Sequence, residues 1–248
     1  MIFRLTVTLV CLLATQMISA TEAPEAVRAG RLLAEELSNL RPAENSCHSG
    51  TLKIYDGRRV RAEIPVQLRT LVTATNWQTV YRTTGTNHAN AASLTVIYTE
   101  NQPNQYQLLN PALPDGQTNQ FAVLTGNDAM IPFAGSDFWL ADLGLEFLRW
   151  PDQRILKKEV RRSQSCNVLE STNPNPAAGT YARVVSWIDI DTGGIVYAEA
   201  FDANRRRMKE FLPKAVKKVD GQYQVQRMEM YGSQTRSRTV LEFDFDAP

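Results

Sequence analysis

The sequence predicts a mainly β (α+β) domain: one curved antiparallel sheet of about ten strands, curled into an incomplete barrel with a helical lid. Three observations carry this expectation. Apolar and polar residues alternate with period two along most of the chain. Tight-turn signals separate the later runs, at Asp191-Thr192-Gly193-Gly194, Asp202-Ala203-Asn204 and Asp220-Gly221, and strands joined so tightly lie side by side. Helical periodicity is confined to two stretches, so no helical crossovers are present to build a parallel sheet.

Residues 1–20 have the layout of a secretory signal peptide: one charge at Arg4, an apolar run from Leu5 to Leu13, and small residues at Ser19 and Ala20. Cleavage is expected after Ala20, with Ala23 the alternative. The apolar run is shorter than the ~20 residues of a spanning helix. The expected mature protein, 21–248, is then one soluble periplasmic domain. Cys11 leaves with the leader, and Cys47 and Cys166 remain. In an oxidising compartment two distant thiols are expected to form a disulfide, the alternative being two separate buried thiols.

From Glu25 to Leu40, apolar Ala26, Ala29, Leu33, Leu37 and Leu40 recur at helical spacing, with Pro24 in the expected first turn and Pro42 after the end. A second short helix is expected between Asp137 and Leu148, capped by Ser136 or Asp137 and stopped at Trp150-Pro151. Asp56-Gly57 marks a hairpin joining 52–55 to a strand at 59–69, where Pro65 suits an edge. Further strands are expected at 78–83, 94–99, 155–162, 167–171, 181–190, 195–201, 207–212, 216–219, 223–231 and 238–245. The Asn/Gln/Pro/Gly-rich stretch from Asn101 to Asp128 offers only 106–109 and 121–124 as candidate strands and otherwise suggests long loops on the same domain.

Composition narrows function. Among 248 residues, 27 Lys and Arg face 26 Asp and Glu, so the basic excess of a nucleic-acid binder is absent. His48 and His88 both lie in polar surroundings, and no His-x-x-x-His, Cys-x-x-Cys or calcium-loop motif predicts a metal site. There is no Gly-x-Ser-x-Gly elbow and no phosphate-cradling glycine loop. Glu242 and Asp244 suit a solvated strand face. No enzyme and no cofactor are predicted.

What remains is apolar character on both faces of several strands. In 181–190, Val185 and Trp187 oppose Val184, Ile188 and Ile190; in 195–201, Ile195, Tyr197 and Phe201 oppose Val196, Ala198 and Ala200. A sheet with water on one side needs one apolar face, so the second must be covered or hold something. Helices over a curved sheet make an apolar cleft, and the candidate lining is drawn from the aromatic and aliphatic positions of the strands and lid. On the strands these are Val66, Leu68, Trp77, Tyr81, Trp187, Tyr197, Phe211 and Phe243. In and just after the second helix they are Trp139, Leu143, Phe147 and Trp150. The alternative is a core filled by its own side chains. Basic runs at 157–158, 161–162, 205–207 and 217–218 suit solvated faces, or anionic headgroups if they share an edge.

Several segments resemble LolA-like exported proteins, often labelled outer-membrane lipoprotein-sorting proteins. Gly135-Ser136-Asp137-Phe138-Trp139-Leu140-Ala141-Asp142-Leu143 is similar to that family's Gly-x-Asp-Phe-x-x-x-Asp-Leu stretch. Val184-x-x-Trp187-Ile188-Asp189, Glu199 to Ala203, Lys209-Glu210-Phe211, Lys217 to Gly221, Met228-Glu229-Met230 and Thr235 to Phe243 follow in the family's order. The resemblance implies a half-barrel whose lidded apolar concavity takes lipoprotein acyl chains. The expected partners are therefore lipoprotein acyl chains or another lipid, with no nucleic acid, bound by a monomer. An envelope sensor that meets a membrane or protein partner on the same fold is the alternative.

Overall fold

The structure is a computed structural model that describes residues 19–84, 92–109, 122–219 and 222–245. The expected leader up to residue 18, His88, Phe121 and the Asp220-Gly221 turn lie outside the described residues. Strands β1 (Ser46–Asp56), β2 (Arg59–Val72), β3 (Trp77–Thr83), β4 (Ser93–Tyr98), β5 (Gln105–Leu109) and β6 (Ala122–Leu124) form one antiparallel meander. A second comprises β7 (Asp152–Arg161), β8 (Gln164–Thr172), β9 (Arg183–Asp189), β10 (Ile195–Phe201), β11 (Arg207–Val219), β12 (Gln222–Gly232) and β13 (Ser237–Asp244). β1 pairs with β13, from Ser49 opposite Asp244 to Asp56 opposite Ser237, and fuses the two into one thirteen-stranded sheet.

The sheet is mainly β as expected, but it is larger, and it is open, with β6 and β7 as its free edges. The candidate strands of the Asn/Gln-rich stretch do pair, and 207–212 and 216–219 are one strand, β11, bulged between Pro213 and Ala215. Proline cannot donate to the ladder, so the strand bends there and continues. Pro65 is in an interior strand rather than on an edge. It sits just past the last β2–β3 pair, Val66 opposite Thr83, where its carbonyl accepts from Thr84 N–H at 3.0 Å.

Tyr81 on β3 and Val184 on β9 are seven strands apart in sheet order, roughly 34 Å in a flat sheet. Both border one cavity, so the sheet coils around it. Connectivity dictates the cover. β6 and β7 are consecutive in the chain but lie on opposite edges of the sheet, so the segment between them crosses the whole concave face. This lid carries Phe133, Phe138, Leu140, Leu148 and Trp150 into the main core.

The lid is less helical than expected. It contains α2 (Leu140–Leu143) and two 3-10 turns, Gly126–Ala129 and Glu146–Arg149. Leu145, with φ of 50°, breaks the helix between α2 and the second turn. Asp137 does not cap it; that carboxylate accepts from Ser237 and Thr239 of β13, and Asp142 accepts the Trp139 N–H at 2.8 Å instead. A Cβ on Gly144 would collide with the Tyr106 hydroxyl, so glycine lets the lid descend onto β5.

Helix α1 (Ser19–Ser38) packs along β7 and shields that edge. Gly30 permits the approach, since a Cβ there would meet the Arg154 backbone. The helix begins at Ser19, so Pro24 lies inside it rather than in its first turn.

The expected disulfide is not present. Cys47 is exposed on β1, and Cys166 is fully buried on β8, both as free thiols. Their strands are six apart in sheet order, and Cys166 packs with Val168, Val185 and Trp187 in a separate cluster. Bridging thiols need Cα atoms within ~7 Å, which this placement does not offer.

Candidate functional site

Strand parity places Leu68, Val184, Ala198, Ala200, Phe211 and Phe243 on the concave face, where they border an apolar cavity of about 350 Å³. Its space originates in side-chain size. Ala198 is paired with Phe211 and Ser186, and Ala200 with Val184 and Lys209, so small residues sit among large ones along the sheet floor. Met228 and Met230 contribute adaptable thioether walls. The roof is Phe138, Leu143, Leu145, Phe147 and Leu148 of the lid, and Leu37 of α1 with Leu40 just beyond the helix closes one side. Leu145 and Leu40 stay partly in solvent, at 38% and 63% exposure, so the cavity has an apolar rim.

One side of the cavity is charged. Lys209 Nζ donates to Asp142 Oδ2 at 3.1 Å and lies 3.6 Å from the Trp139 ring centre. Trp139 stacks on Tyr181 with centroids 4.5 Å apart, and the Tyr181 hydroxyl donates to Asp142 at 3.0 Å. Burial pulls Lys209 down to about 8 against the opposing pull of Asp142 and Asp137. Burial, reinforced by Asp142, holds the Tyr181 phenol well above its usual range. Lys209 and Trp139 also border a second, more polar cleft of about 490 Å³ with Arg61, Asp137, Thr235 and Ser237.

The lid is pinned by a buried polar network. Tyr106 donates to Glu146 Oε2 at 2.9 Å, and Asn104 Nδ2 donates to the Gly144 carbonyl at 2.9 Å. Burial pushes Glu146 up to about 7, partly offset by the Tyr106 and Asn104 hydrogen bonds and by Arg149. Arg149 ties the lid to α1 through the Ser38 carbonyl at 2.6 Å and Asn39 Oδ1 at 2.9 Å.

Of the residues expected to line the cavity, Leu68, Tyr81, Leu143, Phe147, Phe211 and Phe243 do so. Val66 and Trp150 belong to the surrounding core. Trp77 is buried at the start of β3, stacked on Tyr98 at 5.5 Å. Trp139 borders the polar cleft.

Trp187 and Tyr197 are on the other face of the sheet. Val184 and Ile188 take the concave positions of β9, so Trp187 between them points outward. There Trp187 and Tyr197 meet edge-on at 5.1 Å, with the Arg161 guanidinium 4.4 and 3.6 Å from their ring centres. Arg162 donates to the Pro213 carbonyl at 2.6 Å and holds the β7–β8 hairpin over this cluster. The second apolar face is thus covered by the chain's own hairpin. Sequence alternation missed Lys209, although its position two residues before Phe211 puts it on the same face. His48 is on β1 rather than in a loop, edge-on to Phe245 at 4.7 Å. Among the described residues no three His, Cys, Asp or Glu side chains are grouped to hold a metal ion, and no helix is long and apolar enough to cross a membrane.

The coiled sheet and crossing lid recur in solved structures. A DUF1329 family protein from Desulfovibrio piger superposes with a TM-score of 0.73 at 19% identity, covering 89% of this chain and 92% of that one. A domain described as an outer membrane lipoprotein-sorting protein, from Vibrio parahaemolyticus, gives 0.71 at 18% identity, covering 90% and 95%. A LolA superfamily protein from Nitrosomonas europaea gives 0.57 at 14% identity, again covering 90% and 95%. No curated protein matches the chain. A family model whose description reads "Uncharacterized protein" matches residues 75–245, most of the sheet and all of the lid. The chain therefore belongs to that family, and its fold is the LolA-like open antiparallel sheet with a lid.

Proposed function

We propose that the protein is an exported carrier that holds an acyl chain, of a lipoprotein or of another acylated ligand, in the cavity beneath its lid. The observation that carries this reading is the cavity itself: about 350 Å³ lined mainly by Leu, Phe, Met, Val and Ala side chains that do not fill it. Each methylene moved from water into such a site gains about 0.8 kcal/mol, so reversible burial supplies affinity without catalysis. The lipoprotein-sorting description of a protein sharing this fold supports the choice of ligand class. Export rests on the leader-like residues 1–20, and the place of work in this reading is the periplasm.

Delipidated protein is expected to take up a fluorescent fatty-acyl probe saturably, and Phe211→Asp, which puts a charge on the cavity floor, is expected to abolish uptake while the fold persists. Absence of saturable uptake in the wild-type protein sinks the carrier reading. Mass spectrometry of organic extracts of the purified protein identifies the natural acyl ligand. N-terminal sequencing of the exported chain tests the leader, with Thr21 as the expected first residue.

A further inference from the structure

The cavity is not uniformly apolar, and the side formed by Lys209 and Asp142 has a composition that selects among acyl ligands. Lys209 and Asp142 are both nearly buried, with side-chain exposures of 8% and 12%, and both border the cavity. We propose that this pair recognises a neutral acyl carbonyl, the ester or amide through which a single acyl chain is joined to the rest of the ligand. The proposal rests on the carrier reading and narrows it.

The first argument is donor capacity. An ammonium carries three N–H groups. Among the described residues Lys209 has one oxygen partner, Asp142, and the Trp139 ring face lies against another side of it. Lys209 lines the same cavity as Phe211 and Met228, so its remaining donor capacity is available to a carbonyl whose chain lies along them.

The second argument is charge. Asp142 is in contact with Lys209, and Asp137 also acts on it from the cleft side. Asp142 is held in place, because it also accepts the Trp139 N–H and the Tyr181 hydroxyl. A carboxylate entering here would add a further negative charge to a cation already neutralised, in surroundings that screen charge poorly. A neutral carbonyl accepts the N–H and adds no charge. The pair therefore favours esters and amides over free fatty acids.

The third argument is size. At ~30 Å³ for each group the size of a water molecule, the cavity has room for about a dozen methylene-sized groups, enough for the hydrocarbon of one chain with its carbonyl at the Lys209–Asp142 end.

The test uses three probes of equal chain length below their micellar concentrations: methyl laurate, ionised laurate and dodecyl methyl ether. The ether matches the ester without its carbonyl. Lys209→Met is expected to weaken methyl laurate roughly tenfold, the worth of a hydrogen bond to a charged donor, and to leave the ether unchanged. Asp142→Asn is expected to raise the affinity of laurate relative to methyl laurate at least tenfold, because Lys209 then lacks its counter-charge. Each single variant leaves a buried charge without its partner, so Lys209→Met/Asp142→Asn, which removes both charges, serves as the folded control and is expected to show the same loss for the ester against the ether. In wild-type protein the carbonyl stretch of carbon-13-labelled methyl laurate is expected to shift to lower frequency on binding, and not in the double variant.

Equal weakening of ester and ether, or an acid-to-ester ratio unchanged by Asp142→Asn, overturns this proposal alone. Failure of all three probes to bind wild-type protein overturns the carrier reading, and this proposal falls with it.

Discussion

Tyr106 donates its phenolic hydrogen to Glu146 Oε2 at 2.9 Å in a buried site on the lid, and among the described residues no salt bridge reaches that carboxylate. A raised carboxyl pKa in the folded state has a defined linkage sign. The folded protein binds this proton more tightly than the unfolded chain, so the contribution of Glu146 to stability is fully present at low pH and is lost as pH rises from about 4.5 through about 7. The loss is at most about 3 kcal/mol. Urea midpoints between pH 5 and 7.5 should fall with pH, and Glu146→Gln should remove Glu146's contribution to that slope and raise stability at pH 7.5. A Glu146→Gln profile parallel to wild type would contradict the burial of the carboxylate. The window stops below 8 because Lys209, pulled down to about 8, adds a rising contribution above it.

Ala198 and Ala200 make the cavity's space, so Ala200→Leu should fill it. Uptake of an acyl probe is expected to fall at least tenfold, while thermal stability is unchanged or increased, because the added methyl groups enter existing space rather than a packed core. Unchanged uptake would mean that the ligand lies elsewhere.

Gly144→Ala places a methyl group against Tyr106 and should destabilise the protein by about 1–3 kcal/mol in urea unfolding. The collision is with the phenol ring as well as its hydroxyl, so Tyr106→Phe should rescue the loss only in part.

Arg161→Ala uncovers the outward-facing Trp187 and Tyr197. A stability loss of about 1 kcal/mol and a red shift in tryptophan emission are expected, with acyl uptake unchanged, because this cluster is across the sheet from the cavity. Impaired uptake would place the ligand on the outer face.

Thiol titration of the chain lacking residues 1–20 should find one reactive group in the native protein, Cys47, and a second, Cys166, only after unfolding without reductant. No reactive thiol in the unfolded, non-reduced chain would restore the disulfide.

Much of the fold is legible in the residues because it depends on short-range pattern. Alternation in Val60 to Leu68 and in Tyr181 to Ile190 reflects which side chains share a face, and the turns at 191–194 and 202–204 reflect local backbone geometry. These carried the meander and placed Leu68, Tyr81, Phe211 and Phe243 at the cavity. Alternation does not say which of two apolar faces turns inward, so it cannot separate Trp187 and Tyr197 of the outer face from the concave positions.

The sequence by itself determined the antiparallel strands, the amphipathic first helix, the LolA-like signature around Gly135 to Leu143 and the apolar character of both faces of β9 and β10. Only the tertiary structure decided that β1 closes on β13, that Cys47 and Cys166 stay apart, that the β7–β8 hairpin covers the outer face, and that Asp142 of the lid meets Lys209 of β11 across 67 residues of chain. Pattern arises from neighbours a few residues apart. Pairings between distant segments depend instead on how far the sheet coils and where the lid must cross it.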